Sequence, residues 1–185
     1  VAALLKRDHH AHIIVVDNFL TGDWKNLGLA CDRWGVGPFT GRLIAEPIEE
    51  LDWGAEFEEI EPTHVFHLAA ITDTTETDQR KMVTINAESF QWLLNTCVDR
   101  RIPLVYASSA ATYGTPPQTA DRVPFPLEAA GHPSNVYGFS KWLMEGLHRR
   151  AAAVASEAGD PDPWIVGLRF FNVFGPGEQT KGRMA

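Results

Sequence analysis

The chain has 185 residues, 44% of them hydrophobic and 22% charged, which is enough for one domain with a sizeable core. A formal net charge of −8 argues against a nucleic-acid partner, and no apolar run approaches the ~20 residues of a membrane span. Cys31 and Cys97 lie far apart and fit the reduced, buried thiols of a cytoplasmic protein better than a disulfide framework.

The opening stretch, VAALLKRDHHAH, lacks the basic start and cleavage site of a signal peptide. His9, His10 and His12 have only Asp8 nearby to complete a ligand set, so a polar turn is expected there and no metal. HIIVVD (12–17) reads as a short buried parallel strand ending in an acid. RLIA (42–45) is a weaker strand, and residues 46–60 read as a helix with Pro47 in its first turn. HVFHLA (64–69) is the next strand. Residues 79–100 form a long helix whose apolar stripe includes Met82, Phe90, Leu93, Leu94 and Cys97. PLVYASS (103–109) is a strand, and the stretch over 115–133, with its five prolines, reads as an irregular loop. Residues 135–157 are helical, WIVGLRFF (164–171) is a last strand, and residues 172–185 form a glycine-punctuated loop.

Strands separated by helical crossovers predict a Rossmann-like α/β fold with a doubly wound parallel sheet. Ligands of such sheets sit beyond the carboxyl ends of the strands. That edge collects Asp17, then Ala69, Ala70 and Thr72, then Ser108 and Ser109, and Asn172 after the last strand. The helix that begins near residue 135 starts on the same edge. It carries Tyr137 and Lys141 four residues apart, on one face of a helical turn. A free tyrosine titrates near pH ~10, and a neighbouring cation favours the phenolate. In isolation YxxxK is more often a tyrosine lying on a lysine stem. Its convergence with the strand ends selects a proton-handling pair. Asp17, at the end of an early strand, is placed to accept hydrogen bonds from an adenosine ribose.

VVDNF (15–19), HLAA (67–70), YASSAATYG (106–114), NVYGFSK (135–141) and RFFNVFGPGE (169–178), in that order, resemble the extended short-chain dehydrogenase/reductase family of NAD-dependent epimerases and dehydratases. The tail GPGEQTKGRMA and the loop TTET (74–77) resemble a branch that inverts C6 of an ADP-heptose in assembling the lipopolysaccharide inner core. The family opens with a strand and a glycine-rich turn that seats a pyrophosphate on a helix N-terminus. The resemblance therefore implies an internal piece of a longer enzyme: a partial dinucleotide-binding domain over 1–185, with the substrate-binding region beginning at about 172–185. It also implies a missing strand between HIIVVD and HVFHLA.

Family chemistry would give Tyr137 the proton of a sugar hydroxyl. Lys141 would hold the nicotinamide ribose and lower the tyrosine pKa, and Ser109 would bind the reacting oxygen. Lys181 matches the position of a second acid/base. Cofactor contacts are implied for Asp17, Asn18, Lys25, Leu68, Ala69, Ala70, Thr72, Asn86, Lys141 and Lys181. Substrate contacts are implied for Ser109, Asn172, Val173 and Arg183. The resemblance implies NADP, with NAD as the alternative that Asp17 favours, a nucleotide-sugar substrate, a homo-oligomer and a cytoplasmic location. Gly177, Arg183 and Asp73 depart from the heptose branch, which tends to carry arginine, serine and a small polar residue there. Ala110 to Thr112 stand where 4,6-dehydratases carry an Asp–Glu pair, which disfavours dehydration. A 4-epimerase or a non-catalytic binding module is the alternative.

Overall fold

The computed structural model describes residues 1–115, 125–161 and 163–177, and these fall into two compact units. The first comprises Val1–Leu51 and the segment from Val173; the second is Asp52–Asn172.

In the first unit, α1 (Ala2–Arg7) leads through the histidine turn to β1 (Ile14–Val16). Helix α2 (Lys25–Trp34) follows, and then β2 (Arg42–Ile44). The two strands pair in parallel, Ile14 with Arg42 and Val16 with Ile44. The amide of Asp17 extends this ladder by donating to the Ile44 carbonyl at 3.1 Å. Helix α2 has no counterpart in the sequence reading. It is a surface helix with a glycine, Gly28, inside it, and only Cys31 is buried, so its periodic signal is weak.

In the second unit, α3 (Trp53–Ile60) precedes β3 (Val65–His67). The expected helix over 46–60 starts seven residues late, at Trp53. Asp52 caps it, its Oδ1 accepting from Ala55 N at 3.1 Å. Pro47 instead opens a tight turn closed by Glu50 N at 3.1 Å. The long helix expected over 79–100 is present in three continuous parts. These are α4 (Gln79–Val83), a π-helical turn (Thr84–Glu88) and α5 (Ser89–Asp99). Strand β4 (Leu104–Ser109) runs into a short 3₁₀ turn at Ala110–Tyr113, and another 3₁₀ turn spans Leu127–Ala129. Helix α6 (Val136–Ala158) is capped by Asn135 and stops at Gly159, which takes φ 73° in the left-handed region. Strand β5 (Ile165–Phe170) closes the unit.

Strands β3, β4 and β5 form a parallel sheet in that order. Alternate β4 residues, Leu104, Tyr106 and Ser108, are buried on one face. There Leu104 and Tyr106 meet Phe90, Leu93, Leu94 and Cys97 of α5 and Met144 of α6 in the core. Gly167 on β5 makes room for the Tyr106 ring, since a Cβ there would lie 2.5 Å from the Tyr106 hydroxyl. Both cysteines are free and buried, and burial pushes the Cys97 thiol up to about 12, as suits an inert core residue. Among the described residues, no helix is long and apolar enough to cross a membrane, and no cluster could hold a metal ion.

Candidate active site

The second unit gathers three of the four residues expected to do chemistry. Ser109 is the last residue of β4 and caps the turn after it, its Oγ accepting from Ala111 N at 3.1 Å. Tyr137 and Lys141 occupy the first turns of α6, whose start is set by Asn135 Oδ1 accepting from Gly138 N at 2.8 Å. Gly138 brings these elements together. A Cβ on it would lie 2.6 Å from the Ala111 carbonyl oxygen, so only glycine lets α6 approach the turn after Ser109 this closely.

Lys141 is buried, 2% exposed, and its ammonium donates to the carbonyl oxygen of Ala107 at 2.9 Å. The Nζ lies 6.0 Å from the centre of the Tyr137 ring. Burial lowers the Lys141 pKa to about 8. His67, at the end of β3, is held down to about 3 by burial and secondarily by the Lys141 charge, so it is a neutral imidazole stacked on Phe90 at 5.4 Å. Its Nε2 is buried without a hydrogen-bond partner among the described residues.

Asn86, in the π-helical turn, is fully buried. Its Oδ1 accepts from Ile71 N at 2.8 Å, and its Nδ2 donates to Ile71 O at 3.0 Å and to Ser140 Oγ at 3.0 Å. These bonds tie the loop over 68–72, which holds Leu68, Ala69, Ala70 and Thr72, to α6 next to Lys141. Leu68 and Thr72 are exposed there, and Ala69 and Ala70 are half-buried. Asn172 is exposed two residues beyond β5.

Sequence reasoning missed a second polar cluster. Glu145, one turn beyond Lys141, accepts from Ser108 Oγ at 2.6 Å and from Arg169 Nε and Nη2 at 2.8 Å each. Burial alone would raise the Glu145 pKa, but the bonds from Arg169 and Ser108 outweigh it and hold the carboxyl below its ordinary value. A carboxylate inside a buried helical face, and an arginine inside an apolar strand, were the available signals.

The first unit holds Asp17, Asn18, Lys25 and Val173. Asp17 is half-buried, and its Oδ1 accepts from Phe19 N at 2.8 Å in the turn after β1. Asn18 and Lys25 are exposed. Gly177 accepts from Asn26 Nδ2 at 3.1 Å with φ 100°, a conformation that favours glycine over the arginine of the heptose branch. Asp73 closes a local turn onto Thr75 at 2.8 Å. Lys181 and Arg183 lie outside the described residues.

The chain is 39% identical over 189 residues to an ADP-L-glycero-D-manno-heptose-6-epimerase of Alkalilimnicola ehrlichii, covering 98% of this chain and 51% of that protein. Among solved structures, the Helicobacter pylori enzyme of the same name superposes with a TM-score of 0.74 at 29% identity, over 100% of this chain and 54% of that one. The Brucella ovis UDP-glucose 4-epimerase, solved with NAD, superposes with a TM-score of 0.65 at 28% identity, over 92% and 47%. The chain thus spans about half the length of the relatives it matches. The sequence profile of the NAD dependent epimerase/dehydratase family matches residues 1–185. With a parallel sheet ending in serine beside a helix carrying Tyr137 and Lys141, the chain belongs to the NAD dependent epimerase/dehydratase family.

Proposed function

We propose that this chain carries the proton-transfer centre of a nucleotide-sugar epimerase, and that its substrate is an ADP-glycero-manno-heptose inverted at C6. The observation that carries the reading is Lys141. It is a buried ammonium held against β4 one helical turn from Tyr137, with Ser109 ending the same strand. A buried lysine beside a tyrosine has little structural rationale, because burying a charge is costly. It has a chemical one. The likeness to the Alkalilimnicola ehrlichii and Helicobacter pylori enzymes supports the heptose as substrate and a role in lipopolysaccharide assembly.

The donor set fits a dinucleotide. Lys141 gives one of its three protons to Ala107 and has two more for ribose hydroxyls. Leu68 and Thr72 stand exposed on the tethered loop over 68–72. When bound, the nicotinamide supplies the hydride acceptor and then the donor. Tyr137 Oη removes the proton of the sugar hydroxyl on the first face, and a proton is returned to that oxygen after the carbonyl has presented its other face. Lys141 orients the ribose. Ser109 Oγ donates to the reacting oxygen. Lys181 serves the second face, with Asn172, Val173 and Arg183 on the sugar nucleotide. Asp17 and Asn18 hold the adenosine ribose, and Lys25 neutralises the 2′-phosphate of NADP. The carboxylate of Asp17 favours NAD as the second reading. Incubating the full-length enzyme with ADP-D-glycero-D-manno-heptose and resolving the C6 epimers tests the assignment; conversion of a UDP-hexose at C4 instead would select the 4-epimerase.

A further inference from the structure

We propose that Glu145 and Arg169 are positioning residues that hold the Ser109–Tyr137–Lys141 set in register, an inference that rests on the function proposed above. Tyr137, Lys141 and Glu145 follow at four-residue intervals on one face of α6. The last two meet β4 at consecutive residues. Lys141 Nζ donates to Ala107 O at 2.9 Å, and Ser108 Oγ donates to Glu145 Oε1 at 2.6 Å. Two successive helix turns are therefore tied to two successive strand residues, and the next strand residue is Ser109. A rotation of α6 that would swing Tyr137 away from Ser109 must break one of these ties.

Arg169 completes the frame. It pairs with Ser108 in the β4–β5 register, and its guanidinium forks onto both Glu145 oxygens. Its remaining nitrogen, Nη1, donates to Tyr113 Oη at 3.0 Å and to Leu127 O at 2.8 Å. The same group thereby fixes the turn that follows Ser109. An ion pair serving stability alone has no need to touch β4, α6, β5 and that turn at once. Arg149 also approaches Glu145, at 3.5 Å, but from the solvent side, with a side chain 53% exposed.

The test is steady-state kinetics of the full-length enzyme carrying Glu145→Ala, Glu145→Gln or Ser108→Ala, normalised to cofactor-binding sites. Small misplacement of reacting groups costs up to ~10²-fold, so Glu145→Ala should lower kcat about 10- to 100-fold while KM moves less than about threefold. Glu145→Gln keeps a carbonyl oxygen for Ser108 and should recover most of that loss. Should Glu145→Ala not fold, Ser108→Ala removes only the hydroxyl and should still lower kcat about tenfold. A kcat near the parental value in the variant that folds, a loss carried by KM alone, or equal losses in the Gln and Ala variants overturns the proposal. Tyr137→Phe run alongside separates the two levels. If it turns over normally, the proposed function fails. If it is inactive while Glu145→Ala and Ser108→Ala are not, only the positioning role fails.

Discussion

Asn86 donates to Ser140 Oγ at 3.0 Å while clasping both backbone groups of Ile71. One buried amide thus joins the loop after β3 to the helix that carries Lys141. Replacing it by alanine leaves the Ile71 N–H and C=O without their partners. Unsatisfied buried groups cost ~1–3 kcal/mol each. Asn86→Ala is therefore expected to lower unfolding stability by about 2–4 kcal/mol in urea melts. It should also weaken cofactor binding, because the loop over 68–72 loses its tether. Unchanged stability and affinity would show the clasp to be incidental.

Gly138 offers a sharper steric test. Alanine there puts its Cβ against the Ala111 carbonyl oxygen, a backbone atom that cannot swing aside. Alanine normally improves a helix by up to ~1 kcal/mol over glycine. Here the clash should reverse the sign, with a net loss of about 1–3 kcal/mol. Calorimetry showing a higher Tm for Gly138→Ala would refute the close approach.

His67 makes stability sensitive to acid. Its pKa is about 3 in the folded chain against 6.5 for the free side chain, so the unfolded chain takes up the proton first as pH falls. Its contribution is complete above pH 6.5 and drains away below it. At pH 5 the loss from this one group is about 2 kcal/mol. His67→Gln should flatten the stability profile between pH 7 and 5 by that amount. Parallel profiles for parent and variant would mean that His67 is not buried as described.

The strands and the Tyr–Lys pair were legible because their signals are local: apolar runs of strand length and a four-residue interval. Helix α2 was not, because Gly28 interrupts it and only Cys31 faces the interior. The start of α3 was read too early because Pro47 and its acidic neighbours imitate a first turn, whereas Asp52 is the cap. The pairing of Glu145 with Arg169 depends on how α6 lies over β5, 24 residues on, and no local pattern encodes that. Asn86 was legible as a site residue only through resemblance. Its protein contacts, to Ile71 and Ser140, emerge from the fold.

Lys181 separates two chemistries. Inverting an exocyclic carbon by rotation about one bond presents each face to a different side of the crevice, so two proton donors are needed. A 4-epimerase turns its whole ring past a single tyrosine. Lys181→Met in the full-length enzyme should abolish inversion of ADP-heptose, a loss of at least ~10²-fold. Inversion at the parental rate would remove the two-base mechanism.

The central claim is that Tyr137 is the acid/base of a hydride-transfer centre built by Lys141 and Ser109. The most direct measurement is the turnover of ADP-heptose by the full-length Tyr137→Phe enzyme, with cofactor affinity measured on the same sample. Removing a positioned acid/base costs ~10²–10⁴-fold, so turnover should fall by that factor while the Kd for the cofactor stays within about twofold of the parent's. Parental turnover in the phenylalanine variant would contradict the account.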